Sequence, residues 1–313
     1  MRRFLIDTDT ASDDAVALLM ALRHPDVQVE AITVVAGNVP VDQAVQNALY
    51  TVEVAGRPVP VYRGCDRPLL RPLETAQEVH GQDGMGDIGL PLSGRQPAPG
   101  HAVDVIIDTL RRYPGEVTVV TLGPLTNLAA ALIRDPGIAA LPREVVVMGG
   151  TAQGPGNVTP VAEYNIWVDP EAARIVFGAG MPLKMVGGDV ARAYAVITPE
   201  EAAAIRAIGT PAARFAIDIQ RTLVEFCRRV TRLDGFDLPD PIAMAIALDP
   251  QIATVTRRLF VAVECGGEWC RGQTVVDHLG VTGRPPNAEV VLAADRERFL
   301  ALLRAALGAE GPR

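Results

Sequence analysis

The stretch Arg3-Phe4-Leu5-Ile6-Asp7-Thr8-Asp9-Thr10-Ala11-Ser12-Asp13-Asp14-Ala15 limits what this chain can fold into more than any other. An apolar run ends in four carboxylates and then opens into Val16-Ala17-Leu18-Leu19-Met20-Ala21-Leu22. A short apolar run bounded by turn-forming residues reads as a buried strand, and the spacing of Val16, Leu19 and Met20 reads as a helix. The acids therefore fall at the carboxyl end of a strand, the edge of an open α/β sheet where ligands bind.

Carboxylates this crowded repel one another unless protons or a cation neutralise them, and a helix N-terminus supplies only about half a positive charge. A plainer alternative has Ser12 capping the helix, Asp13 and Asp14 answering its dipole, and Asp7 and Asp9 as solvated loop acids. The pattern D-x-D-x-x-x-D-D directly after a strand favours a bound cation. Oxygen donors without a nearby His or Cys select a hard ion, calcium or magnesium, over zinc. An EF-hand is excluded: counting from Asp7, its fifth, sixth and twelfth positions would be Ala11, Ser12 and Leu18.

The chain has 313 residues, 49% of them hydrophobic, enough for a large core. No stretch approaches the roughly 18 apolar residues of a membrane span. Met1-Arg2-Arg3 leads straight into the first strand rather than into a cleavable signal, so a cytoplasmic location is expected. Cys65, Cys227, Cys265 and Cys270 are too scattered for a disulfide framework and read as free thiols. The net charge of −8 argues against nucleic acid as a partner.

Strand and helix alternate through much of the chain. Strands are expected at Val27–Val35, Val59–Tyr62, Val117–Thr121, Glu144–Met148 and Leu183–Val186, with helices at about Val41–Val54, Ala102–Arg112 and Leu125–Ile133, and another starting after Asp169-Pro170. This is an α/β pattern: one open, mostly parallel (mixed) sheet flanked by helices, Rossmann-like, in a single domain over 1–313. After Val186 the alternation fades. Thr198-Pro199-Glu200-Glu201 starts a helix, a long helical pattern covers about Pro211–Val230 with its arginines on a solvated face, and an apolar helix spans Ile242–Leu248. Strands near Leu259–Val263, Gln273–Val276 and Ala288–Leu292 and a last helix ending near Leu307 close the fold. Asp240, flanked by Pro239 and Pro241, reads on its own as a cap. Arg63–His101 has little periodicity, and His80 stands there in the glycine-rich His80-Gly81-Gln82-Asp83-Gly84, a candidate ligand contact.

The aspartate stretch, with Gly37-Asn38, Gly123-Pro124-Leu125-Thr126-Asn127, Met148-Gly149-Gly150, Glu163-Tyr164-Asn165, Asp169-Pro170-Glu171-Ala172 and Asp240-Pro241, resembles the inosine-uridine preferring nucleoside hydrolases from end to end. The resemblance implies a nucleoside hydrolase fold with additional C-terminal helices and one calcium ion. Its protein ligands would be Asp9, Asp14, the main-chain oxygen of Leu122, and Asp240. Asp13, Asn38, Met148, Asn157, Glu163 and Asn165 match ribose-binding positions, and Asp7 matches a supporting one. The implied substrate is a ribonucleoside and the implied assembly a homodimer or homotetramer.

The implied reaction is hydrolysis of the N-glycosidic bond, with Asp9 as general base. Two departures stand out. Thr10-Ala11-Ser12 replaces the usual Pro-Gly, and Pro239 replaces a histidine that in many members helps the base leave; proline has no proton to give. His80, the Tyr164 hydroxyl or a group on the Arg221–Arg229 segment could serve instead. Two rivals remain: a ribose- or nucleoside-binding module that has lost turnover, and a haloacid-dehalogenase-like phosphatase using Lys184, the only lysine.

Overall fold

Apolar runs without polar alternation become strands covered on both faces. In the computed structural model, which describes residues 1–308, these runs are β1 (Arg2–Thr8), β2 (Val27–Val34), β3 (Val61–Arg63), β4 (Val117–Thr121), β5 (Glu144–Met148) and β6 (Leu183–Val186). Later come β7 (Val196–Ile197), β8 (Phe236–Asp237), β9 (Ala253–Val263), β10 (Thr274–Asp277) and β11 (Ala288–Ala294). Nine strands make one sheet in the order β10-β9-β11-β6-β5-β4-β1-β2-β3, while β7 and β8 pair separately. Pairing is parallel from β3 across to β11, and antiparallel only for β11 with β9 and β9 with β10.

From β1 the chain winds outward to β2 and β3, then crosses back to β4 on the other side of β1. That reversal leaves a crevice at the carboxyl ends of β1 and β4, the position where doubly wound sheets bind ligands. Two apolar helices run from this crevice, Ser12–Leu22 and Pro239–Leu248. They pack on each other, and every residue of the first is buried, as is every residue from Asp240 onward in the second. Such helices carry no solvated face, so their polar first turns must find partners inside the protein.

The structure departs from the sequence-based expectation in several places; the strand expected at Val59–Tyr62 forms at Val61–Arg63, and the β7–β8 pair is not among the expected strands. Ala11, not Ser12, holds the cap position of the first helix; its main-chain N–H donates to Asp14 Oδ2 at 2.9 Å, and the Ser12 hydroxyl turns to His80. Asp240 lies within the first turn of its helix, after Pro239, rather than capping it. The long helical pattern after Pro211 breaks into Pro211–Asp218 and Arg221–Phe226. At the break, buried Gln220 donates through Nε2 to the main-chain oxygens of Ser12 (2.8 Å) and Ala216 (3.1 Å), so a tertiary hydrogen bond interrupts a run that local propensity would continue. Finally, β9 begins six residues before the expected Leu259, because Thr254–Arg258 is exposed and shows no apolar run. No helix among the described residues is long and apolar enough to cross a membrane.

Candidate active site

The chain leaves β1 through Asp9, and the two buried helices bring Asp13, Asp14 and Asp240 to the same place. Oxygens of Asp13, Asp14 and Asp240 lie within 4.8 Å of one another, and all three residues are buried. Asp9, with no exposed surface, lies beside them. Its Oδ2 accepts the Asn38 N–H at 2.6 Å, whereas Oδ1 has no hydrogen-bond partner. Asp13 Oδ1 is likewise buried without one. Asp14 accepts the Thr8 hydroxyl at Oδ1 (2.6 Å) and the Ala11 N–H at Oδ2, which fixes its plane.

Burial first, and neighbouring carboxylates second, push Asp9 and Asp240 well above the ordinary carboxylate range and raise Asp14. Burial pushes Asp13 up to about 6. Two helix N-termini offset only part of four converging acids. Orphaned carboxylate oxygens fit a hard cation, and the nearby nitrogen ligand, His80 Nδ1 at 3.7 Å from Asp13 Oδ1, is held by the Ser12 hydroxyl instead.

Asp7 stands behind this cluster. Its Oδ1 accepts from the Thr33 hydroxyl (2.6 Å) and the Asn127 amide (2.8 Å), tying β1 to β2 and to the helix after β4. The expected metal donor Leu122 O accepts the Asn165 amide at 2.6 Å and retains a second lone pair.

Above the acids opens a cavity of about 560 Å³, lined by Asp13, Asn38, His80, Leu122, Met148, Asn157, Glu163, Asn165 and Asp240 among others. All of the residues expected at the ribose thus face one space, while Asp9 and Asp14 lie outside its lining. Their hydrogen bonding differs. The Asn38 side-chain amide makes no hydrogen bond among the described residues. Glu163 accepts main-chain N–H groups of Gly150 (2.8 Å) and Asn165 (3.0 Å), and burial pushes it up to about 7. Asn165 donates to Leu122 O and to Met148 O (3.2 Å), holding the ends of β4 and β5 together. Asn157 Oδ1 accepts the Tyr164 N–H.

On the side of Pro239, the expected proton donors are occupied or neutral. Buried His80 shares a hydrogen bond between Nδ1 and Ser12 Oγ at 2.9 Å, and burial lowers it to about 4, so it is uncharged near neutrality. The Tyr164 hydroxyl donates to Glu74 O at 2.8 Å, and burial with nearby carboxylates holds it well above its ordinary value. Buried Cys227 is pushed up to about 11. Arg221, Arg228 and Arg229 are exposed, as a solvated face requires, with Arg229 at the cavity rim. Sequence reasoning missed Arg192, Phe226 and Asp237, which also line the cavity; only the nearness of Asp237 to Asp240 could have pointed to any of them. Lys184 pairs with Glu144 at 2.7 Å near the amino ends of β5 and β6, far from any phosphate cradle at the carboxyl edge.

This sheet crevice with a buried acid cluster beneath a polar cavity defines, together with the following likenesses, a nucleoside N-glycosidase. Residues 4–301 match the family model described as inosine-uridine preferring nucleoside hydrolase. Pyrimidine-specific ribonucleoside hydrolase RihB of Escherichia coli (strain SE11) is 38% identical over 303 residues, 96% of each chain. Among solved structures, the plant nucleoside hydrolase PpNRh1 superposes with a TM-score of 0.92 at 36% identity, covering 99% of both chains. A purine-preferring ribonucleoside hydrolase from Gardnerella vaginalis does so with a TM-score of 0.91 at 33% identity, covering 98% of both. The chain belongs to the inosine-uridine preferring nucleoside hydrolase family.

Proposed function

We propose that this enzyme hydrolyses ribonucleosides to ribose and free base in a calcium-dependent reaction with Asp9 as the general base. The supporting observation is Asp9 itself: one oxygen is fixed by the Asn38 N–H and the other, buried, has no protein partner.

Asp9, Asp14, Asp240 and the main-chain oxygen of Leu122 would hold the calcium ion, which when bound neutralises the acids, orients the ribose diol and makes a water more acidic. Asp9 then takes a proton from the attacking water at Oδ1. Asp13 and the Asn38 amide hydrogen-bond the ribose hydroxyls, while Glu163, Asn157 and Asn165 shape the same wall. Carboxylates near C1′ stabilise the positive charge that develops as the glycosidic bond lengthens. Among the described residues the base side holds no strong acid, so no side chain there protonates the leaving base.

The test is a panel of purine and pyrimidine ribonucleosides assayed for free ribose, after chelation and after adding back calcium, magnesium or zinc. Activity lost on chelation and restored best by calcium is expected. Full activity in the chelated protein would overturn the metal, and absence of ribose with every nucleoside would leave a binding module. Light scattering on the same preparation reads the assembly, for which we propose a homodimer or homotetramer.

A further inference from the structure

Two charged groups on the base side of the cavity have no role so far. Arg192 lies on the helix Gly188–Tyr194 and Asp237 in β8. Main-chain pairing brings them to one wall: Val196 opposes Asp237, and the Leu238 N–H donates to Ala195 O at 3.1 Å. Both line the cavity beside Pro239. Neither side chain makes an ion pair or a hydrogen bond with another residue among the described residues; burial raises Asp237, and the nearby charge of Arg192, with His80, opposes that and favours its ionised form.

A half-buried guanidinium and a half-buried carboxylate that are close but not joined present opposite hydrogen-bonding characters to the same space. Arg only donates and an ionised Asp only accepts. Their complement is a ligand edge with an acceptor beside a donor, such as a ring carbonyl next to a ring N–H. Uracil and hypoxanthine carry that edge. Cytosine and adenine present an amino group beside a bare ring nitrogen, which turns a donor toward the guanidinium and an acceptor toward the carboxylate.

We propose that Arg192 and Asp237 are the residues that read the amide edge of the base, Arg192 donating to the ring carbonyl and Asp237 accepting the ring N–H. This rests on the chain acting as a ribonucleoside hydrolase. When the C1′–N bond breaks, its electron pair stays on the base and spreads onto the carbonyl oxygen that faces Arg192. Water supplies hydroxide to C1′, Asp9 takes the released proton, and the departing base recovers a proton through solvent. A guanidinium at the carbonyl thus stabilises the anion that a histidine would otherwise have protonated.

The experiment compares kcat/KM of the parent, Arg192→Gln and Asp237→Asn on uridine, inosine, cytidine, adenosine and p-nitrophenyl riboside. Free uracil, hypoxanthine, cytosine and adenine are titrated calorimetrically alongside. The parent should favour the oxo-base nucleosides by at least ~10-fold, and each variant should lower that activity by about 10- to 100-fold, with a loss ~10-fold smaller on the p-nitrophenyl compound. Asp237→Asn, able to donate and accept, should also narrow the uridine-to-cytidine ratio. Equal losses on all five substrates, or a parent preference for amino bases, would overturn the assignment. The calorimetry separates the two claims. Oxo-bases binding more tightly than amino bases only in the parent supports the edge contact even where no ribose is released, and that absence of ribose would sink the hydrolase function alone. No base preference in the parent's binding refutes the edge contact, whatever the turnover.

Discussion

Gly37 touches Asp9 with no room for a side chain between them. A Cβ on Gly37 would sit 2.8 Å from Asp9 Cγ and collide with Oδ2, and one on Gly123 would come 2.6 Å from Oδ1. The carboxylate is therefore gripped between two stretches of bare backbone, one after β2 and one after β4. Gly37→Ala should displace it and lower kcat by about 100-fold or more, since misplacement of a catalytic group by about 1 Å costs that much. Gly178→Ala, where a Cβ meets nothing within 4 Å, is the control. Equal kcat in the two variants would dissociate Asp9 from this slot.

Asp7 gives a pH signature. Burial raises it to about 7 against the pull of its Asn127 and Thr33 hydrogen bonds. A carboxyl whose folded value lies above its unfolded value binds more protons when folded, so its contribution to stability is present at low pH and lost as pH rises through the folded value. Between about pH 4 and pH 7 the metal-free parent should lose stability relative to Asp7→Asn, up to a few kcal/mol in all. Thermal melts across that range read the difference in slope. Parallel curves would place an ordinary carboxyl at Asp7.

Ribose discrimination follows from the unsatisfied groups on the cavity wall. Asp13 Oδ1 and the Asn38 side-chain amide make no hydrogen bond among the described residues, and a 2′-deoxynucleoside would leave at least one of them unpaired. A loss in kcat/KM of about 100-fold or more relative to the ribonucleoside is expected for a site built around hydroxyls. Comparable values for both sugars would remove these residues from the ribose contact.

Pro239 occupies the first helical position, where its ring suits the geometry and no main-chain N–H is needed. Other residues fit there as well, so Pro239→His should fold and keep Asp240 in place. The parent should cleave p-nitrophenyl riboside much faster than inosine, because nitrophenolate needs no acid. Pro239→His should narrow that gap by about 10-fold or more. Equal rates on the two substrates in the parent would reveal a proton donor beyond His80, Tyr164 and Cys227.

Much of the fold was legible because short, valine-rich runs such as Val117–Thr121 and Glu144–Met148, bounded by turn residues, read as buried strands, and both occur with those bounds. Asp169 and Pro170 marked a helix start that the structure places at the same residue, with Asp169 accepting the Ala172 N–H at 3.1 Å. What escaped was tertiary. The Gln220 break depends on the distant carbonyl of Ser12, and the early start of β9 depends on pairing with β11. In the site, the acids announced themselves by crowding, whereas Arg192 and Asp237 carry no local pattern and meet only through the β7–β8 pair. Gly37 and Gly123 have no positive φ; closeness to Asp9 is what requires glycine at both.

The two buried helices that meet at the carboxylates, Ser12–Leu22 and Pro239–Leu248, are far apart in sequence. A nascent chain that has made β1 and the Ser12–Leu22 helix already carries Asp9, Asp13 and Asp14, but lacks Asp240 until the Pro239–Leu248 helix has been made. The ion site proposed above would thus be incomplete until the two helices dock, since a site rarely exists before its ligands are brought together. If the proposed ion binds at the acid cluster, it would relieve the repulsion of the gathered like charges and fasten the Pro239–Leu248 helix onto the Ser12–Leu22 helix.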